Sequence, residues 1–192
     1  MTQQTMPEGI KQKVYLAYGS NLNRSQMEVR CPDALEIGKF LLPDYRLVFR
    51  GVADIEKAKG FHVPVGLWQI TKECEKALDR YEGYPTLYRK QYFRKDETLY
   101  MAYVMNRTGY AKPPQRYYES IKEGYVDFGM PPHYLLEALE HSIDNNGSNG
   151  YTPKKYREKR SNEYYRAKHS ELRKRNETSP YTTFGMKLDT QI

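Results

Sequence analysis

Val14-Tyr15-Leu16-Ala17-Tyr18-Gly19-Ser20-Asn21-Leu22 is the stretch whose reading decides the fold. Val14 to Ala17 reads as a buried strand that runs straight into Tyr18-Gly19-Ser20-Asn21, a break of residues suited to turns. A short helical stretch follows around Asn23 to Arg30. A Gly-Ser-Asn loop between strand and helix points successive backbone N–H groups one way, and such a nest binds a carboxylate or an oxyanion. Gly19 is the position where a side chain would crowd those donors, and where a positive φ would demand glycine.

Downstream, Leu35 to Leu42, Arg46 to Arg50, Gly51 to Ile55 and Val63 to Ile70 read as successive short strands. Pro43-Asp44 and the Lys57-Ala58-Lys59-Gly60 turn separate them, which predicts a curled sheet or small barrel. Thr71 caps a helix with Glu73 and Glu75 in its first turn, and Gly83 stops it. Cys74, Ala77, Leu78 and Tyr81 recur at i, i+3, i+4 and i+7 and form its buried face. Two alternating strands, Tyr88 to Arg94 and Leu99 to Met105, precede two helices, Gln115 to Lys122 and Pro132 to Ile143. There is no internal repeat.

The charge is unevenly spread. Residues 151–192 hold 11 of the 31 basic and 5 of the 24 acidic side chains, net +6, which leaves 20 basic and 19 acidic, net +1, for the first 150. Between the parts, Asp144-Asn145-Asn146-Gly147-Ser148-Asn149-Gly150 is a run of turn formers that ends the compact domain. The organisation expected is a flexible N-terminus over 1–12, one domain over 13–150 and a basic extension over 151–192. No apolar stretch, Phe40 to Leu42 included, approaches the roughly 18 residues of a membrane span, and Met1 to Lys13 lacks a signal-peptide core. Cys31 and Cys74 allow at most one disulfide and have no companions at metal-ligand spacing, which suits a cytoplasmic protein without zinc.

A second candidate site lies in Leu78-Asp79-Arg80-Tyr81-Glu82-Gly83-Tyr84-Pro85, where Glu82 falls in the last turn of its helix. The macrodipole is negative there, so the pKa of Glu82 is expected to shift upward, the direction a general base needs. With Tyr81 facing the core, Glu82, about 100° further round the helix, falls at the rim of a pocket. Other chemistries find no support. His62, His133, His141 and His169 are scattered singly with no nucleophile elbow, and the glycines do not occur at phosphate-loop or dinucleotide spacings.

Taken in order, these segments resemble the gamma-glutamylcyclotransferase family, AIG2-like proteins included. Val14 to Leu22 resembles its signature loop, and Cys31-Pro32-Asp33-Ala34 with Tyr45-Arg46-Leu47-Val48-Phe49 resembles the helix exit and strand that follow. Val65 to Thr71 with Leu78 to Pro85 resembles the segment bearing the catalytic glutamate, and Pro113-Pro114 through Tyr117, Gly124, Gly129-Met130-Pro131 and Tyr134-Leu135-Leu136 resembles the closing helical pair. The resemblance spans about residues 13 to 143. It implies an α+β fold, a small mixed six-stranded β-barrel flanked by helices.

It also implies an activity, removal of a gamma-glutamyl group as 5-oxoproline with release of an amine or amino acid. The substrate's own α-amine would attack its γ-carbonyl, so no metal or cofactor is required. Glu82 would be catalytic; Tyr18, Gly19, Ser20, Asn21 and Leu22 would hold the glutamyl group through backbone donors, and Tyr117 would place its hydroxyl in the pocket. Tyr125 departs from the small residue usual after Gly124 and either narrows the pocket or points away.

The tail has no counterpart in the family. Thr152-Pro153 starts an expected helix through about Arg175, with ten basic residues from Lys154 to Arg175 and Tyr156, Tyr164 and Tyr165 among them. Such a stretch either solvates itself or contacts a nucleic acid or acidic partner. The rival to an enzyme is thus a non-catalytic small-ligand-binding protein of the same fold whose tail makes that contact.

Overall fold

Leu16 and Ala17 have no exposed surface in the computed structural model, which describes residues 12–146. They belong to β1 (Gln12–Ala17), the middle strand of a five-stranded mixed sheet. β1 runs antiparallel to β3 (Ala53–Gln69), with Val14 opposite Gln69 and Ala17 opposite Gly66. On its other side it runs parallel to β5 (Thr98–Met105), with Val14 opposite Tyr100. β2 (Leu35–Phe49) and β4 (Tyr88–Lys95) complete the order β2-β3-β1-β5-β4. A strand flanked on both edges and covered on both faces needs a continuous apolar run, and Val14 to Ala17 supplies one.

The sheet corrects the expectation of a six-stranded barrel: among the described residues it has five strands and is not closed, with β2 and β4 at its ends. The four short strands expected between Leu35 and Ile70 are two long ones, of 15 and 17 residues. Pro43 does not end β2, because β2 is an edge strand and a missing N–H on an edge breaks no ladder bond. Asp44 takes a positive φ of 59°, and pairing resumes with Tyr45 opposite Lys57 after Pro43 opposite His62. The residues read as a turn, Lys57 to Gly60, therefore belong to β3, where 58–61 bulge opposite Asp44 alone. Asp44 Oδ1 accepts the Gly60 N–H at 2.8 Å and fastens the two irregularities together. Bulges bend a strand without ending it.

The helices follow their sequence signals closely. Asn23 caps α1 (Arg24–Arg30), its side chain accepting the Gln26 N–H at 3.1 Å. Thr71 caps α2 (Lys72–Glu82) by accepting the Cys74 N–H at 3.1 Å, and Gly83 ends it at φ 64°. Cys74 and Leu78 are buried, as the period requires, whereas Tyr81 is 47% exposed and leaves the expected core face. Its ring instead lies under the Arg30 guanidinium, 3.8 Å away. α3 (Gln115–Asp127) runs five residues beyond the expected end, and α4 (His133–Asp144) follows. Cys31 and Cys74 are buried free thiols. Among the described residues no helix is long and apolar enough to cross a membrane. The expected N-terminal segment up to Lys11 and the expected helical extension from Thr152 lie outside the described residues.

Gly124 sits within α3 because the chain after β1 presses on it: Leu22 and Asn23 leave no room for a side chain. A Cβ there would lie 2.5 Å from Leu22 Cβ, 2.7 Å from the Leu22 carbonyl carbon and 2.8 Å from Asn23 N. Two of those atoms are backbone and cannot swing aside. Gly124→Ala is therefore expected to cost about 1–3 kcal/mol, the usual range for overpacking, read from urea unfolding. Stability equal to that of the parent would mean that α3 does not hold this turn.

Candidate active site

Two backbone features bring the loop and α2 together. After Ala17 the chain closes a 3-10 turn over Ser20–Leu22, with Leu22 N–H bonded to Gly19 O at 3.0 Å and Asn23 N–H to Ser20 O at 3.1 Å. These bonds consume the Leu22 donor and leave the N–H groups of Ser20 and Asn21 outside the turn's own bonding. Opposite, Gly83 ends α2 at Glu82, so that carboxylate projects from the last turn toward the loop. Asn21 Nδ2 donates to Glu82 Oε1 at 2.9 Å and to the Tyr15 hydroxyl at 2.8 Å.

Between them lies a cavity of about 210 Å³. Tyr18, Gly19, Ser20, Asn21, Glu82 and Tyr117, distant in sequence, all line it. Leu22 does not. Its side chain is fully buried, against Gly66 and Gly124. Tyr125 is also buried in the core and forms no part of the wall, so it points away from the cavity. Gly19 has a φ of −112°, open to any residue, so its constraint is space: a Cβ would meet the Tyr117 hydroxyl at 3.2 Å and Ala53 Cβ at 3.3 Å.

The wall also contains tyrosines outside the expected set of site residues, Tyr15, Tyr81, Tyr88 and Tyr103. Their hydroxyls are differently committed. Tyr18 donates to the Tyr103 carbonyl, Tyr88 to the Ala53 carbonyl at 3.0 Å, and Tyr103 to Asp79 Oδ1 at 2.5 Å. Tyr15 and Tyr117 instead accept, from Asn21 Nδ2 and from the Ala53 N–H at 3.1 Å, and so each keeps an O–H proton to offer a ligand. Burial pushes both hydroxyls above the usual phenol range, which keeps them neutral donors. The other residue that the loop and helix motifs leave out is Arg30, whose Nη1 donates to Asn21 Oδ1 at 2.6 Å.

Glu82 is pushed up to about 7, chiefly by burial, while the Arg30 charge and the Asn21 hydrogen bond pull the other way. The expected direction is found, but desolvation and not the helix terminus is its main cause. A carboxylate with this acidity takes a proton near neutral pH and returns it. The Asn21 N–H, left outside the turn's own bonds, and the Tyr117 hydroxyl, which itself accepts from the Ser20 backbone, suit a carbonyl oxygen that gains negative charge.

The comparisons agree with this geometry. A family model described as "Gamma-glutamyl cyclotransferase, AIG2-like" matches residues 15–125, and the chain belongs to that family. A mouse (Mus musculus) protein named gamma-glutamylcyclotransferase is 29% identical over 147 residues, covering 66% of this chain and 78% of the relative. A solved structure named gamma-glutamyl cyclotransferase superposes with a TM-score of 0.58 at 23% identity, over 74% of this chain and 94% of its own. An uncharacterized Homo sapiens protein gives a TM-score of 0.57 at 24% identity, with the same coverage. At these identities the two structures establish the shared fold; the family model and the mouse relative point to a cyclotransferase.

The acidity of Glu82 has a consequence for stability. The folded protein binds this proton more tightly than the unfolded chain does, since about 7 lies above the ordinary 4.5. Stability contributed by Glu82 therefore falls as pH rises between about 4.5 and about 7. Glu82→Gln does not titrate, so its Tm relative to the parent is expected to climb through that window and level off above it. A difference in Tm that ignores pH would mean that the carboxylate is not desolvated in the folded state.

Proposed function

We propose that this protein is a gamma-glutamylcyclotransferase that converts a gamma-glutamyl amine or amino acid into 5-oxoproline and the free amine. The observation that supports the reading most is the convergence of the Glu82 carboxylate, the Ser20-Asn21 turn and the Tyr117 hydroxyl on one cavity. The reaction asks for little more than this. The substrate's α-amine attacks its own γ-carbonyl carbon, a C–N bond closes the five-membered ring, and the bond to the leaving nitrogen breaks. The α-ammonium sheds two protons on its way to the lactam N–H, one before attack and one as the C–N bond forms. Glu82 relays them in turn to the leaving nitrogen, which departs as an ammonium, so protons balance without any outside donor. The Asn21 N–H and the Tyr117 hydroxyl hold the carbonyl oxygen while its charge develops. Holding the extended glutamyl chain in a ring-like conformer supplies the rest of the advantage.

Tyr15, Tyr18, Tyr88 and Tyr103 give the cavity an aromatic wall with few charges, which suits the methylene chain of a glutamyl group better than a second anion. A panel of gamma-glutamyl amines, amino acids and peptides assayed for 5-oxoproline release tests the proposal. At least one compound should turn over, and Glu82→Gln should lower its kcat by about two to four powers of ten while it still binds. Near-normal turnover by Glu82→Gln would remove Glu82 as the base. Binding of these compounds without release of 5-oxoproline would instead fit the non-catalytic reading.

A further inference from the structure

Asn21 is 2% exposed and every polar atom of its side chain is committed. An amide offers one acceptor and two donors. Here Oδ1 meets Arg30 Nη1 at 2.6 Å, while Nδ2 serves Tyr15 and Glu82. A guanidinium only donates, so the opposite orientation would set donor against donor at Arg30 and acceptor against acceptor at Glu82. Arg30 therefore decides which way the amide faces. It is itself held on several sides: its guanidinium stacks 3.8 Å from the Tyr81 ring, Nη2 donates to Gln26 Oε1 at 2.5 Å, and Ser20 Oγ lies 3.5 Å from Nη1. Tyr81 adjoins Glu82 on α2, so one side chain at the end of α1 grips both the loop and the helix that make the site.

We propose that Arg30 is a positioning residue for Glu82 that acts through Asn21, turning the amide so that its Nδ2 faces the carboxylate. This rests on the reading of Glu82 as the base. The role has two parts, one geometric and one electrostatic. The fork fixes the amide, and its charge favours the ionised form of a carboxylate that burial would otherwise keep protonated. The groups that face Glu82 from the surrounding elements are Arg30 from α1, Tyr15 from β1, Tyr18 from the loop, Tyr88 from β4 and Tyr117 from α3. Burial holds the four tyrosines neutral, so the charge that acts on Glu82 in this set is that of Arg30.

The test is a pH titration of Glu82 in the full chain, with glutamate carboxyl carbons labelled with ¹³C and its resonance assigned by loss in Glu82→Gln. No substrate is needed. Arg30→Gln, which keeps a donor but loses the charge, should raise the midpoint by about one pH unit, the low end for a neighbouring cation. Arg30→Lys, which keeps the charge, should move it less than half as far. Unchanged midpoints in Arg30→Gln, or equal shifts in both variants, would overturn the proposal. If Arg30→Gln does not fold, Arg30→Met, which keeps apolar packing on the Tyr81 ring but loses the charge and the donors, takes its place: the midpoint should rise by as much, and an unmoved one would overturn the role.

On a confirmed substrate, the acidic limb of kcat should shift with the same midpoint, so that Arg30→Gln loses about tenfold on that limb. Arg30→Lys should keep the limb and lose part of the plateau, because a lysine lacks the planar fork. A parent protein that releases no 5-oxoproline would count against the cyclotransferase reading, while the titration still decides the role of Arg30.

Discussion

A partly desolvated carboxylate at the end of a helix is the constraint on which the rest of this molecule depends. Glu82 gains a hydrogen bond from Asn21 but little water, and an unsupported helix end would swing it into solvent. α2 is pinned against that movement from three strands. Lys13 of β1 bonds Glu75 at 2.7 Å, Lys90 of β4 bonds Glu75 and Asp79 at 2.7 Å each, and Tyr103 of β5 donates to Asp79 at 2.5 Å. Lys90 is itself well buried, with only 8% of its side chain exposed, so this pairing has the geometry in which breaking one partner costs much more than a surface ion pair would. The polar network on α2 stabilises the position of one residue that makes no part of it.

Arg30 holds the loop's side chains, while the loop's backbone is held by shape. Gly19, Gly66 and Gly124 are each placed where a Cβ would strike a neighbour within 3.2 Å or less. Leu22 fills the space that Gly66 and Gly124 leave, while Trp68 Nε1 donates to the Asn21 carbonyl at 3.1 Å. With its backbone wedged in this way, the 3-10 turn keeps its donors aimed without a ligand, the preorganisation that makes such donors effective.

Much of this was legible along the chain, because it is local. Asn23, Thr71 and Gly83 mark helix ends by backbone chemistry that acts over three or four residues, and the Gly19-Ser20-Asn21 loop announces its donors in the same way. What escaped is set by partners far away. Pro43 and Lys57 to Gly60 read as breaks, yet they become one matched irregularity because β2 lies at an edge and Asp44 reaches Gly60. Tyr81 obeys the helical period but is drawn out of the core face by Arg30, which no spacing rule connects to it. The Asn21 side chain meets Glu82 across 61 positions of sequence, so a loop read for its backbone gave no hint of it. The upward shift of Glu82 was expected from the helix end, whereas burial, which only the folded wall creates, is its larger cause.

The claim that Glu82 and the Ser20-Asn21 turn act on one ligand is tested most directly by a crystal structure of the full chain with 5-oxoproline bound. Catalysis by these groups predicts the product in the cavity, its ring carbonyl facing the Asn21 N–H and its ring nitrogen within hydrogen-bonding reach of Glu82. Product bound elsewhere, with this cavity empty at saturating concentration, would contradict it.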